Sequence, residues 1–440
     1  MRALGFFAAL MAVVAVGACS SGGGNGFEDG GSDDSGSNGD STSTDGSKPN
    51  DSGNKPDTSF GFDSSPGNDA ADDSSTDASF NFDGFGKSDG NYCFDDDGDG
   101  WTTCQGDCND HDSLINPCAF DTNDPNDPVG VDGVDNDCDG TIDNVHTCDG
   151  TLTAGHDTTA SHYASAMDIC DNSKCTVVVG ATFYGPNNQY AHRITKQMGT
   201  NFSPHKGTFM AFLSSGTADD DIDTTSYTPG DGTNLNNTFT HPDPLKAINN
   251  VNPCGTGKDE PTTVNDYSEL RLTLRAPINA GSFTFDFNFF SEEYPMYVCH
   301  GFNDTFLAEL TSQQYTTPFQ IAFDPNGHRI NVNNSFFQDC TTITNTDNLG
   351  YTHTCTGALS LLAKTGYELK YGQTSFTLGN GNKGSGATDW LKTTAPIQPG
   401  EQFTLSFIVF DEGDGLMDTA INLDNFRWNS TTISTPVTAR

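Results

Sequence analysis

Two kinds of acidic pattern in this 440-residue chain have the composition of a chemical site. The first is Asp95-x-Asp97-x-Asp99-Gly100, repeated forty residues later as Asp135-x-Asp137-x-Asp139-Gly140. Carboxylates at alternate positions converge on one cation as a loop curls, and the glycine permits the sharp turn. The second is a pair of acidic corners, each following an aromatic run. One holds Glu292, Glu293, Asn303 and Asp304; the other holds Asp411, Asp414 and Asp418. Such oxygen-rich corners serve either a bound hard cation or a carboxylate pair acting as acid and nucleophile or base on a glycosidic bond. In the hydrolase alternative, Glu292 or Glu293 works with Asp411 or Asp414. The sequence holds no His-Glu-x-x-His or phosphate-binding loop.

The paired loops depart from the EF-hand. Position seven falls on Trp101 and Thr141, and position nine on Thr103 and Asp143. Position twelve is Gly106 or His146 where an EF-hand has a bidentate Glu, and no helical periodicity flanks either loop. Further carboxylates at Asp107, Asp110 and Asp112 lie between the loops. With oxygen donors throughout, Ca²⁺ is the expected ion rather than Zn²⁺ or Cu²⁺. His111 and His146 stand alone in the sequence and read as solvated residues.

Asp107-Cys108-Asn109-Asp110-His111-Asp112, taken with Gly133-Val134-Asp135-Asn136-Asp137-Cys138-Asp139-Gly140, resembles the MopE-type metal-binding repeat of exported bacterial proteins. The loop Cys118 to Asp132 is longer than in that pattern, and Cys93, Cys104, Cys118 and Cys148 are additional to it. The second loop also resembles a thrombospondin type 3 repeat, with Asp143 in register. Both resemblances imply a small Ca²⁺-filled, disulfide-stapled module with little core of its own.

The corners need strands to hold them. Phe283, Phe285, Phe287 and Phe289 alternate with Thr284, Asp286 and Asn288, the period of a strand with one face in a core. Phe403, Leu405, Phe407 and Val409 do the same before Asp411-Glu412-Gly413-Asp414. Other short apolar runs are Cys175 to Thr182, Gly207 to Leu213, Leu270 to Leu274, Thr305 to Leu310, Gln320 to Phe323 and Thr419 to Trp428. The spacing predicts a mainly β fold, a β-sandwich of jelly-roll-like type. One short helix is predicted from His162 to Met167, running on to Ile169. Gly379 to Gly386 reads as a hairpin tip.

Phe285-Asp286-Phe287-Asn288-Phe289-Phe290-Ser291-Glu292-Glu293-Tyr294-Pro295, followed by Phe302-Asn303-Asp304-Thr305-Phe306-Leu307-Ala308-Glu309-Leu310, resembles the choice-of-anchor L domain family of bacterial exported domains. Val409 to Trp428 carries a second matching segment, and the likeness spans roughly residues 151–428. It implies an exported domain with a variable anchor, and brings no established activity with it.

Composition bounds the remainder. The net charge is −41 with 19 Lys+Arg, which disfavours nucleic acid and anionic surfaces as partners. Only 33% of residues are apolar, and Ser20 to about Gly90 is Gly/Ser/Asp-rich, the composition of a disordered tether. Its Phe60, Phe62, Phe80, Phe82 and Phe85 read as spacing noise in a biased segment. Arg2, the apolar run Leu4 to Val16 and Val16-Gly17-Ala18-Cys19 resemble a lipoprotein signal, with Cys19 the lipidated residue. Removing Cys19 from thirteen cysteines leaves twelve to pair, as in an exported protein. Closeness in sequence suggests Cys170–Cys175 and Cys340–Cys355, leaving Cys254–Cys299. The expected order is signal peptide 1–18, tether 19–90, acidic Cys-rich module 91–149 and β-sandwich 150–430. The expected protein is a non-catalytic, Ca²⁺-binding lipoprotein of the outer membrane and cell surface. Its partner would be an extracellular glycan, protein or matrix polymer.

Overall fold

The computed structural model describes residues 93–171, 174–185, 190–223, 238–240, 263–294, 297–298, 302–333, 336–340, 343–346, 352–355, 359–367 and 385–440. Cys19, the tether and its phenylalanines, Cys254, Cys299 and most of the Gly379 to Gly386 stretch lie outside them. The side chains of Cys340 and Cys355 do too.

The strands in chain order are β1 (Val178–Tyr184), β2 (His192–Thr195), β3 (Met210–Ser214), β4 (Thr238–Thr240), β5 (Thr263–Arg275), β6 (Ser282–Ser291), β7 (Thr305–Thr311), β8 (Phe319–Gln320) and β9 (Ile330–Asn331). They continue with β10 (Phe337–Cys340), β11 (Ile343–Thr346), β12 (Thr352–Cys355), β13 (Gly386–Thr388), β14 (Leu391–Pro396), β15 (Gln402–Asp411), β16 (Thr419–Asn429) and β17 (Val437–Ala439). One short helix, α1 (Ala160–Ala166), begins two residues before the predicted position. One sheet runs β1-β5-β15-β7-β8, with β4 on β5 and β9 on β7. The other runs β10-β13-β6-β16-β3-β2, with β14 joining β6 to β17. All the strand pairs in both sheets are antiparallel.

The two sheets face one another through the alternating aromatic positions. Phe283 stacks on Phe403 with ring centres 5.5 Å apart, Phe285 meets Phe407 edge-on at 5.1 Å, and Phe287 lies 4.9 Å from Phe306. Such pairs contribute about 0.5–1.5 kcal/mol beyond the area they bury. The fold is therefore mainly β, and the two phenylalanine strands lie in opposite sheets.

The acidic segment is stitched onto this sandwich. Cys93–Cys104 and Cys108–Cys138 close loops within it, whereas Cys118–Cys175 and Cys148–Cys170 tie it to the chain leading into β1. The sequence-based pairing of Cys170 with Cys175 is therefore wrong. Closeness along the chain misled because each cysteine faces a different part of the acidic segment. Phe120 enters the sandwich core, and Asn279 accepts from Phe120 N at 2.9 Å while donating to its carbonyl at 2.8 Å. The described residues all belong to one compact unit.

Candidate metal centres

The two Asp-x-Asp-x-Asp-Gly loops share one hydrogen-bond pattern. Asp95 Oδ2 accepts from Gly100 N (3.1 Å), as Asp135 Oδ2 does from Gly140 N (2.9 Å). Asp97 Oδ1 accepts from Asp99 N and Asp137 Oδ1 from Asp139 N, both at 3.2 Å. Asp99 Oδ1 takes Trp101 N (2.7 Å), and Asp139 Oδ1 takes Thr141 N (2.6 Å). An amide completes each loop: Asn116 Nδ2 donates to Asp99 Oδ2 at 2.7 Å, and Asn144 Nδ2 to Asp139 Oδ2 at 2.8 Å. Gly100 and Gly140 have φ of 94° and 95°, which a side chain would strain. The repeat in sequence is thus a repeat in geometry.

Around the first loop, Asp95, Asp97 and Asp99 each bring a carboxylate oxygen within 4.8 Å of the others. Asp107 is buried beside them, and its carboxyl is raised by that burial and by the charges of Asp99, Asp97 and Asp110. Asp97 Oδ2 and Asp107 Oδ2 have no hydrogen-bond partner among the described residues. Asp110 is also buried, and accepts from Asp96 N at 3.3 Å. Asp112 is exposed and caps a turn by accepting from Leu114 N.

Around the second loop, Asp121, Asp135 and Asp137 form one tight trio, and Asp137, Asp139 and His146 another. Asp121 was not expected from the sequence, because it stands outside the loop. Burial pushes its carboxyl up to about 6, and its Oδ2 has no partner among the described residues. Asp143 braces the loop, its two oxygens accepting from Gly133 N at 3.2 and 3.3 Å. His146 corrects another expectation. Its Nε2 lies 2.8 Å from Asp137 Oδ2 and 3.4 Å from Asp139 Oδ2, so it is not merely solvated.

The corners after β6 and β15 meet at one end of the sandwich. Asp304, Asp411 and Asp418 expose no surface, and Glu293 exposes 2%. Burial is the first cause that raises the carboxyls of Glu293, Asp304 and Asp411 well above the usual range. Asp304 is pushed further by Glu293, Asp411 and Asp418, and Asp411 by Asp418, Asp266 and Glu293. Neither oxygen of Asp304 or of Asp411 has a hydrogen-bond partner among the described residues. Ser215 lies near Asp411, but its Oγ accepts from Thr419 N at 2.9 Å and points its own donor at Thr419 O.

The register of β15 against β5 shifts between Val409 and Asp411, and such a bulge re-aims the side chain that follows it. The bulge brings in two acids that the sequence did not single out, Asp266 on β5 and Glu412, both buried. Period-2 reading hides them among strand and turn residues. Two expected members hold loops together. Asn303 Oδ1 accepts from Asn333 Nδ2 (2.9 Å), and Asp414 Oδ1 accepts from Leu416 N (3.1 Å). Glu292 is partly buried at the rim. Among the described residues, the groupings with ligand atoms all within 4.8 Å belong to the acidic segment, so the corner is the wider of the sites.

No helix among the described residues is long and apolar enough to cross a membrane. No curated protein matches the chain. The family model of the choice-of-anchor L domain matches residues 157–427, from just before α1 to the end of β16, which includes both phenylalanine strands and both acidic corners. That match spans well over half of the sequence, and the chain belongs to the choice-of-anchor L domain family.

Proposed function

We propose that this is a cell-surface protein of bacterial origin whose β-sandwich and acidic segment are held in their working form by Ca²⁺. In this reading it binds an extracellular glycan, protein or matrix polymer without catalysing a reaction, and a lipid on Cys19 anchors it to the outer membrane. Membership of an exported-domain family supports the surface location. The four disulfides among the described residues support an oxidising compartment.

The observation that carries the cation is the pair Asp304 and Asp411. Two fully buried carboxylates with four unpartnered oxygens, surrounded by further acids, cost several kcal/mol each if ionised alone. A hard divalent cation removes that cost and satisfies the oxygens together. The same burial argues against glycoside hydrolysis, since a general acid must touch the glycosidic oxygen.

The test is thermal unfolding of the mature chain after EDTA dialysis, with and without Ca²⁺. A ligand held only by the folded state stabilises it by about 2.7 kcal/mol at a hundredfold excess over Kd. Tm should rise by several degrees, with heat evolved or absorbed in a calorimetric titration. An unchanged Tm and a flat titration at millimolar Ca²⁺ would overturn the reading. Membrane fractionation of Cys19→Ala checks the anchor separately.

A further inference from the structure

A second group of buried acids lies under the loop between β2 and β3, apart from the corner at Asp304 and Asp411. Asp424 on β16 is fully buried. Its Oδ2 receives His205 N and Lys206 N, and its Oδ1 has no partner among the described residues. Asp149, 3% exposed, receives Thr208 N and Phe209 N on Oδ2. Asp286 on β6 pairs across the sheet with Asp424. Its Oδ2 takes His205 Nδ1 (2.8 Å) and Asn425 Nδ2 (2.7 Å), while its Oδ1 has no partner. Asp168, 9% exposed, has no partner on either oxygen among the described residues.

These acids are neighbours, set wider than the trios of the acidic segment. A Cβ built on Gly207 would lie 2.6 Å from Asp149 Oδ2 and 3.1 Å from Asp168 Oδ1, so both carboxylates close on the underside of that residue. Phe426 N donates to Met167 O at 2.9 Å, which draws the Asp168 segment against β16 beside Asp424. The Cys148–Cys170 disulfide fastens the other side, immediately before Asp149 and two residues after Asp168. Asp168 also lines a cavity of about 90 Å³ that it shares with Lys206 and Arg427 on one side and with Asp121, Asp137 and His146 of the second acidic loop on the other.

The neighbouring cations do not balance the charge. Arg427 is engaged with Asn425 Oδ1 (2.7 Å) and lies 4.0 Å from Asp124, and His205 is engaged with Asp286. Lys206 and Arg427 both act on Asp168, two positive charges among four carboxylates. Burial raises the Asp168 carboxyl to about 7, and Asp424 and Asp149 add to that.

We propose that Asp168, Asp424, Asp149 and Asp286 form a further hard divalent-cation site, with carboxylate oxygens as ligands and the Cys148–Cys170 disulfide as its clasp. All-oxygen donors select a Ca²⁺-like or Mg²⁺-like ion over a soft one. The site is separate from the corner at Asp304 and Asp411, so either can fail without the other.

The test counts ions on the mature chain by calorimetric titration with Ca²⁺ and with Mg²⁺. Asp168→Asn should bind one ion fewer than wild type, while Asp411→Asn keeps this ion and loses a different one. In EDTA, Asp168→Asn should melt no lower than wild type, because it removes a buried charge without a matched partner. An unchanged ion count in Asp168→Asn overturns the proposal. A lower Tm in EDTA does so too, since it makes Asp168 the structural partner of Lys206. A second readout leaves every carboxylate intact. The Trp390 ring lies 4.4 Å from that of His205, so Tb³⁺ bound here should emit on tryptophan excitation. Trp390→Phe should reduce that emission without altering the Ca²⁺ count, and undiminished emission counts against the site.

Discussion

His146 Nε2 lies 2.8 Å from Asp137 Oδ2, so position twelve of the second acidic loop returns to the loop's own carboxylates. In the first loop that position is Gly106, which has no side chain to return. Two loops with the same backbone pattern therefore differ in what faces their acids.

That contact gives a pH-dependent stability. The hydrogen bond to Asp137 is the largest influence on His146 and raises its pKa above the usual value. A group whose folded pKa is raised stabilises fully below its unfolded value, near 6.5, and that contribution is lost as pH rises through the folded value. In EDTA, His146→Ala should lower Tm more at pH 5 than at pH 8.5. Equal losses at both would mean that the imidazole contributes packing alone. The effect should be small, since the His146 side chain is 40% exposed.

The corner carries the same sign through carboxyls rather than an imidazole. Folded-state values of Glu293, Asp304 and Asp411 are raised, so the folded chain without metal holds protons that the unfolded chain has released above about pH 4. Stability in EDTA should therefore fall as pH rises from 5 to 8, and Ca²⁺ should remove most of that slope. Asp411→Asn should flatten the EDTA curve and shrink the gain from Ca²⁺. Melting curves at four pH values, with and without Ca²⁺, measure both.

The aromatic seam should behave as core. Phe285→Ala and Phe407→Ala should each cost roughly 3–5 kcal/mol in urea unfolding, because each removes a fully buried ring. The double variant should cost less than the sum by about 0.5–1.5 kcal/mol, the coupling of an edge-to-face pair. Strict additivity would place the two rings in independent environments.

The cross-link between acidic segment and sandwich should stabilise mainly through the unfolded chain. Cys118–Cys175 closes a separation of 57 residues, and chain-entropy arithmetic gives about 4 kcal/mol for a loop of that size. Replacing both cysteines by serine should lower the urea midpoint accordingly.

Trp101 offers a reporter for the first loop. Its backbone N–H donates to Asp99 Oδ1 at 2.7 Å, so the residue itself adjoins the acidic trio. Tb³⁺ bound there should emit on tryptophan excitation, and Trp101→Phe should remove that part of the signal with the ion count unchanged.

The sequence by itself determined the strands that matter most. Strict alternation of large aromatics leaves one face that water cannot solvate cheaply, so Phe283 to Phe289 and Phe403 to Val409 had to enter a core as strands. It also determined the turn of both acidic loops, because their carboxylates bond to backbone N–H groups within six residues. Short strands such as β2, β9 and β13 were not legible, since two to four residues carry too little periodicity. Tertiary structure alone decided what lies far apart in the chain. Cys170 and Cys175 bond to Cys148 and Cys118 because partner choice follows Cβ proximity in space rather than spacing. Asp266 joins Asp411 through strand pairing and a bulge, and Asp168 meets Asp424 because Phe426 N pins Met167 O. The burial that sets the charge state of these acids comes from distant segments, strand ends meeting at one end of the sandwich for Asp411 and the β2–β3 loop lying over β16 for Asp424, and no local stretch of sequence encodes that.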